Sequence, residues 1–216
     1  ASPPNPTGTM LKTEDLHDLS LYCEKHGIRL ISDEIYHGIT YGLPAQTALA
    51  FSKQSIVINS FSKYFSMTGW RLGWLVVPDN LLRAVECLAQ NLFISPPTVS
   101  QVAAIAVFDC HDELQANVRR YACNREILLS ILPRAGLQEL AASDGSFYMY
   151  ASVEHLTNNS IEFCRRMLME TGIAATPGTD FDPYAGNRYM RLSFAGATSV
   201  IEESSERLSK WIVTQN

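Results

Sequence analysis

A short apolar strand that ends in hydroxyl and amine side chains constrains this chain more than any other feature. The β-branched run at residues 55–58 predicts a buried strand. The side chains that follow it are those of Ser60, Ser62 and Lys63. A second apolar segment, at residues 72–77, predicts another strand. Because ligands of open α/β sheets bind outside the carboxyl ends of the strands, this stretch predicts a ligand site at a sheet edge.

An acidic residue and a tyrosine follow an earlier apolar run in the same way. Residues 28–31 predict a strand, and Asp33 and Tyr36 come soon after it. Asp33 precedes Lys63 by 30 residues, a spacing that suits neighbouring parallel strands. We therefore expect Asp33 and Lys63 to face one crevice. Glu34, the next residue along, is expected to point elsewhere.

Composition and charge narrow the function classes. The 216-residue chain is 46% hydrophobic and 18% charged, which is ordinary for a globular protein. Its net charge of −5, without a lysine or arginine cluster, argues against a nucleic-acid partner. No apolar run approaches the ~18 residues of a membrane span, so no membrane partner is expected. Five cysteines without C-x-x-C spacing favour a reduced, cytoplasmic location, and five histidines without ligand spacing predict no metal site.

The hydrophobic periodicity predicts two domains. A long helical pattern at residues 112–131 is expected to connect a large domain, residues 1–111, to a small domain, residues 112–216. The small domain is predicted to be α+β, with strands at residues 137–140, 146–153, 173–175 and 189–194 and a helix at 160–171.

Capping residues predict where several helices begin and end. Thr13 and the capping box that starts at Ser199 are expected to begin helices. Gly27 is expected to end the helix that Thr13 begins, and Gly172 is expected to end the helix at residues 160–171. Glycine readily adopts the left-handed conformation of a helix C-terminus.

Arg191 lies inside the apolar strand predicted at residues 189–194. A buried guanidinium without a partner is costly, so either a protein carboxylate or a ligand carboxylate must pair with it. The strand alone favours the protein carboxylate. Near the start of the chain, Asn5 begins an N-P-T-G turn, for which a plain surface turn and a functional turn are equally favoured. The loop at residues 177–181 allows the same two interpretations.

Four motifs together resemble one family. The segment S-F-S-K at Ser60, followed by G-W-R-L-G-W at Gly69, resembles the cofactor-lysine signature of the class I/II pyridoxal-phosphate (PLP) aminotransferases. N-P-T-G at Asn5, D-E-I-Y at Asp33 and Y-M-R-L-S-F at Tyr189 fit the same family in the same order. The resemblance spans the whole chain, which corresponds to about the C-terminal half of a family chain. It implies an α/β, PLP-transferase-like fold, in which a mostly parallel sheet between helices precedes a smaller α+β domain.

The resemblance assigns roles around the cofactor ring. Lys63 would form a Schiff base with PLP and then move a proton at the substrate Cα. Asp33 would face the ring nitrogen. Tyr36 and Asn5 would donate hydrogen bonds to the phenolic oxygen.

The resemblance also assigns the phosphate and substrate contacts. Ser60 and Arg71, helped by Ser62, would bind the cofactor phosphate. Arg191 would hold the substrate α-carboxylate, which reverses the preference for a protein carboxylate. Asn5 would also contact the substrate.

The function implied is transamination between an amino acid and a 2-oxo acid by a cytoplasmic protein that is a homodimer when complete. A lyase, decarboxylase or synthase of the same fold is an alternative, because it would share the lysine, the aspartate and the phosphate ligands. A non-catalytic fragment or a regulator domain, binding PLP weakly or not at all, is a third. The substrate side chain stays open, and Trp70, Tyr41 and Phe181 are candidates to line an apolar or aromatic pocket.

Overall fold

The computed structural model describes residues 1–215 of the chain, which divide into two compact units. The first unit comprises residues 1–3 and 10–116, and the second comprises residues 4–9 and the chain from residue 117 onward. The N-P-T-G turn therefore belongs to the second unit. The domains proposed at residues 1–111 and 112–216 stay a prediction, since compactness alone does not show that either part folds independently.

The first unit is built on a three-stranded sheet. Its strands are β1 (Ile31–Asp33), β2 (Ile56–Ser60) and β3 (Gly73–Val76). β1 and β2 are parallel, with Asp33 opposite Ile58, whereas β3 is antiparallel to β2. An antiparallel edge strand on an otherwise parallel sheet is common in α/β folds. Asp33 and Ser60 each end their strand, so both lie at the carboxyl edge of the parallel pair.

The helices described in the first unit are α1 (Thr13–Lys25), α2 (Asp79–Leu92), α3 (Thr98–Val107) and the first residues of α4 (His111–Ala135). Gly27 ends α1 as predicted, because its φ is +64° and its N–H bonds the carbonyl of Glu24. The N–H of Ile28 bonds the carbonyl of Cys23 in the same helix end. The strand predicted at residues 28–31 therefore starts only at Ile31, which corrects that boundary.

The N-cap predicted at Thr13 is wrong. Thr13 is the first helical residue of α1, and Lys12 occupies the N-cap position without a side-chain hydrogen bond. The N–H of Leu16 already bonds the carbonyl of Lys12. The helix therefore begins one residue earlier than the capping signal indicated.

An apolar cluster anchors the segment between β2 and β3. Phe61 and Met67 are buried together with Ala104 of α3, and Phe65 and Leu72 pack against them. The N–H groups of Phe61 and Met67 bond the carbonyls of Leu72 and Phe61. Residues on both sides of Lys63 are thus held in the core, which fixes the position of the loop that carries the lysine.

The second unit contains an antiparallel sheet with the order β4 (Tyr148–Ser152), β6 (Tyr189–Ser193), β5 (Thr176–Pro177). Since side chains alternate along a strand, one face of the sheet carries the fully buried Met149, Ala151 and Met190. The opposite face carries tyrosines and Arg191, which lies opposite Tyr150 on one side and Thr176 on the other.

The helices of the second unit are the remainder of α4, α5 (Ser160–Thr171) and α6 (Thr198–Val213). The prediction for α5 is confirmed at both ends. The Asn159 side chain accepts a hydrogen bond from the N–H of Glu162, and Gly172 ends the helix at φ +73°. Along residues 1–215, the described helices are too short or too polar to cross a bilayer.

Three predicted elements of the second unit differ from the structure. Residues 137–140 form only an isolated bridge from Leu140 to Ala151. The strand predicted at residues 173–175 forms at Thr176–Pro177 instead. Helix α6 follows Ala197, whose carbonyl already accepts from Val200 and Ile201. Ser199 is therefore inside the helix and cannot act as its cap.

Candidate active site

Lys63 lies just beyond the carboxyl end of β2, in the loop held by the apolar cluster. Its carbonyl accepts a hydrogen bond from the N–H of Ser66, which closes a tight turn. Its Nζ lies 5.6 Å from the centre of the Tyr36 ring. Asp33, at the end of the adjacent parallel strand, accepts a hydrogen bond at Oδ1 from the N–H of Ile35. The structure thus brings Lys63 and Tyr36 together and places Asp33 at the same sheet edge.

Glu34 lies in a different environment from its neighbour Asp33. Its side chain is buried, and Oε1 accepts hydrogen bonds from the Ser32 hydroxyl, the Thr47 hydroxyl and the N–H of Ala48, at 3.0, 3.1 and 2.9 Å. Its Oε2 lies 3.4 Å from His37 Nδ1. These contacts indicate that Glu34 stabilises the loop after β1.

A cavity of about 450 Å³ opens beside the end of β2. Ser60, Ser62 and Arg71 line it, as does Gly73. The Ser60 hydroxyl donates to the carbonyl of Leu72 and accepts from the N–H of Ser62. A Cβ at Gly73 would approach the Asn59 carbonyl to 2.7 Å, so the backbone is closely packed there. Hydroxyl and guanidinium donors around one concave surface suit a phosphate group.

Arg71 has an unusual backbone conformation. Its φ and ψ are 52° and 49°, in the left-handed region, which is unfavourable for a residue with a side chain. Its Nη1 donates to the carbonyl of Thr68 at 3.0 Å. Strain of this kind concentrates at ligand sites, so the conformation of Arg71 supports a binding role.

Tyr64 is a supporting residue that the sequence interpretation missed. Its hydroxyl accepts a hydrogen bond of 2.8 Å from Gln115 of α4. Its ring packs on Gly38, where a Cβ would approach ring atoms to 2.6 Å. Tyr64 therefore fixes the chain directly after Lys63. The available signal was Gly38 itself, two residues after the candidate Tyr36.

Arg191 is held in the second unit by neutral partners. Nη1 donates to Asn5 Oδ1 at 2.6 Å, and Nη2 donates to Thr176 Oγ1 at 3.0 Å. Within residues 1–215, the ion pairs of the structure do not include Arg191. The protein carboxylate favoured from the strand alone is therefore wrong.

The N-P-T-G turn is packed against its surroundings. The N–H of Gly8 bonds the carbonyl of Pro4, and its carbonyl accepts from the N–H of Gly145. A Cβ at Gly8 would meet the Gly145 carbonyl at 2.5 Å, and the φ of Gly8 is +65°. These contacts contradict the interpretation as a plain surface turn, because they fix the backbone that presents Asn5 to Arg191.

Tyr150 neighbours Arg191 on the same face of the sheet. Its ring stacks on that of Tyr189, with centroids 5.0 Å apart. Burial raises the pKa of Tyr150, and the nearby Asp182 and Tyr189 raise it further. The phenol is therefore protonated at neutral pH.

Within the described part of the chain, no group of three or more His, Cys, Asp or Glu side chains could hold a metal ion.

Comparison with known proteins identifies the family. The model of the family described as aminotransferase class I and II matches residues 1–208. The chain belongs to this family. It is 47% identical to a valine–pyruvate aminotransferase of Mycobacterium tuberculosis, over 100% of this chain and 56% of that protein. It is 31% identical to an aspartate aminotransferase of Sulfolobus acidocaldarius, over 98% of this chain and 54% of that protein.

Solved structures agree with the family assignment. The crystal structure of an aminotransferase from Mycobacterium tuberculosis matches with a TM-score of 0.95 and 46% identity, over 99% of this chain and 56% of that one. A Thermus thermophilus aspartate aminotransferase double mutant matches with a TM-score of 0.87 and 29% identity, over 97% of this chain and 55% of that one. The predicted family and the α/β, PLP-transferase-like fold class are therefore confirmed. The chain spans about half the length of the relatives that it matches.

Proposed function

We propose that the complete protein is a PLP-dependent aminotransferase that moves an amino group between an amino acid and a 2-oxo acid. The observation that carries this proposal is the arrangement at the sheet edge of the first unit. Lys63 lies against Tyr36, Asp33 ends the adjacent strand, and the cavity lined by hydroxyl and guanidinium groups opens beside the end of β2. Membership of the aminotransferase family supports it.

The hydroxyl and guanidinium groups that line this cavity fit the phosphate of PLP. Ser60, Ser62 and Arg71 would hold the phosphate dianion, since hydroxyl and guanidinium groups are its natural donors. Ser60 would do so by turning its hydroxyl proton away from the Leu72 carbonyl. Asp33 would face the ring nitrogen and keep it protonated. When bound, PLP supplies an aldehyde that reacts with amines and a ring that absorbs the electrons of the broken Cα–H bond.

Lys63 and the hydrogen-bond donors would carry the chemistry of the protein itself. Lys63 Nζ would hold the cofactor covalently and, once displaced by the substrate amine, would move the proton from Cα to the cofactor. Tyr36 and Asn5 would donate to the phenolic oxygen.

Arg191 would bind the substrate α-carboxylate. Its partners Asn5 and Thr176 are neutral, so its positive charge is available to an anionic ligand. A two-pronged guanidinium–carboxylate contact would orient Cα–H for proton removal.

We further propose that the substrates include valine and pyruvate. Support comes from the 47% identity to a valine–pyruvate aminotransferase, compared with 31% to an aspartate aminotransferase. A dicarboxylate substrate would need a second cationic contact, whereas an apolar side chain would not.

We also propose a homodimer in the cytoplasm. Apolar side chains exposed on α2 and α3, such as Leu92 and Ile105, support self-association. Two buried thiols, Cys23 and Cys164, suit a reducing compartment. Sedimentation of the complete protein should give two copies, and a monomer would contradict the dimer.

Isotope transfer tests the proposed reaction. The complete protein is loaded with PLP and incubated with ¹⁵N-valine and pyruvate, and the ¹⁵N content of alanine is measured by mass spectrometry. We expect transfer that Lys63→Ala lowers by about 10²–10⁴-fold or more, whereas Lys53→Ala, a change at an exposed lysine, leaves it unchanged.

The alternatives give different products. Release of ammonia or carbon dioxide without labelled alanine would indicate a lyase or decarboxylase. No reaction with any member of a panel of amino donors would indicate a non-catalytic protein. Either result would overturn the proposed transamination.

A further inference from the structure

We propose that Tyr148 and Phe181 are positioning residues, whose rings hold the Arg191 guanidinium in the plane in which it binds the substrate carboxylate. The inference rests on the proposed function, because it assigns how the carboxylate contact is made. All the groups concerned belong to the second unit.

Two aromatic rings lie close to the guanidinium of Arg191. Arg191 Cζ lies 4.2 Å from the centre of the Tyr148 ring and 4.8 Å from the centre of the Phe181 ring. Both distances are within the range of cation–π contacts. A ring attracts the positive charge through its face and uses none of the N–H donors, which all lie in the guanidinium plane. The rings therefore stabilise the cation while its donors are kept for other partners.

Only some of the N–H groups of the Arg191 guanidinium donate hydrogen bonds to the protein. Nη1 and Nη2 each donate one hydrogen bond, to Asn5 and Thr176, although each carries two N–H groups. Nε is buried and has no hydrogen-bond partner. A ligand carboxylate must therefore meet the terminal nitrogens, and a two-pronged contact with them is favoured when the guanidinium plane is already held in place.

Each ring has a rigid support. Tyr148 is buried on β4, opposite Ser193, which places it diagonally across from Arg191 on the same face of the sheet. Phe181 follows the turn at Gly178–Asp180 and bonds the Gly178 carbonyl through its N–H. A Cβ at Gly178 would meet the Gly186 carbonyl at 2.5 Å, so this turn has no room to shift.

This arrangement differs from an arginine held by a protein carboxylate. A paired carboxylate would neutralise Arg191 and compete with the ligand for the same donors. Two neutral acceptors and two ring faces fix the guanidinium without either effect. The structure thus explains how a partly buried arginine is stabilised and still binds an anion.

The test compares variants that remove a ring with variants that keep it. Phe181→Leu and Tyr148→Leu remove one ring each, and Phe181→Tyr and Tyr148→Phe are the matched controls. In the complete protein loaded with PLP, the Kd of isovalerate is measured by titration, together with kcat and KM for valine. Single turnover with isobutylamine, which lacks the carboxylate, detects any loss of catalysis that does not depend on the carboxylate contact. Circular dichroism checks that each variant is folded.

We expect each leucine variant to raise the Kd of isovalerate and the KM of valine about tenfold, with a smaller change in kcat. Turnover of isobutylamine should be unchanged, and the ring-keeping variants should resemble the wild type. Unchanged Kd and KM in both folded leucine variants would overturn the inference, as would an equal loss with isobutylamine. If the wild type transferred no amino group, the proposed function would fail, while the Kd of isovalerate would still test the role of the rings.

Discussion

Asp33 and Glu34 are consecutive carboxylates with different environments. The alternation of side chains along an extended chain predicts that they point apart, and the structure shows Glu34 buried among donors while Asp33 ends β1. The contacts of Glu34 with Thr47 and Ala48 could not be predicted, because both lie in a loop 13 and 14 residues away. The sequence predicts that the two side chains point in different directions, but only the structure shows which groups Glu34 contacts.

Substitutions at these two positions should separate stability from catalysis. Glu34→Ala leaves the buried N–H of Ala48 and two hydroxyls without an acceptor and should lower the free energy of unfolding by about 3 kcal/mol. Glu34→Gln keeps an acceptor and should cost about 1 kcal/mol. Asp33→Asn should change stability by less than about 0.5 kcal/mol while removing most of the transaminase activity.

Urea denaturation of the complete protein measures the first effect, and the isotope transfer from valine measures the second. The assignment would be contradicted if Asp33→Asn kept full activity. It would also be contradicted if Glu34→Ala were as stable as the wild type.

Helix α5 is the element whose predicted bounds agree best with the structure. It was predicted at residues 160–171 with Gly172 as its end, and the structure adds that Asn159 caps its start. The strand predicted at residues 137–140 failed because pairing depends on a distant partner, and only Leu140 finds one, in Ala151. Local capping signals were not always sufficient either, since the N-caps predicted at Thr13 and Ser199 are wrong.

The candidate site shows the same division. Motif residues such as Lys63, Arg191 and Asn5 were proposed from their pattern, whereas the contact between Asn5 and Arg191 is known only from the structure. The supports around them were not predicted, since Tyr64 is held by Gly38 and Gln115 through contacts across more than 25 residues. The supporting side chains of a site come from elements far apart in the chain, which no short motif contains.

The contact between Gly38, in the loop after β1, and the ring of Tyr64, in the loop after β2, should stabilise both loops. Gly38→Ala adds a Cβ that meets the Tyr64 ring and strains a left-handed backbone. Gly27→Ala has a similar positive φ and open space around it, so it serves as the control. We expect Gly38→Ala to lower the free energy of unfolding by about 1–2 kcal/mol more than Gly27→Ala and to weaken PLP binding.

Denaturation and the PLP absorbance of the complete protein would record these changes. Equal stability and equal PLP binding in the two variants would show that the Tyr64 contact does not matter for the lysine loop.

At the scale of the whole molecule, the two units carry complementary parts of the proposed chemistry. The first contains Lys63, Asp33 and the candidate phosphate ligands, and the second contains Arg191 and Asn5. The assignment of residues 4–9 to the second unit was not predicted, because it depends on contacts such as that between Gly8 and Gly145. The family and fold class were predicted because four separated motifs agree in type and order.

The most direct test of the account is the site at which PLP becomes attached. The complete protein is mixed with PLP, reduced with borohydride and digested, and the modified peptide is identified by mass spectrometry. The account predicts one dominant adduct, on Lys63, that Asp33→Asn weakens and Lys53→Ala leaves unchanged. A dominant adduct on another lysine, or none on Lys63, would contradict it.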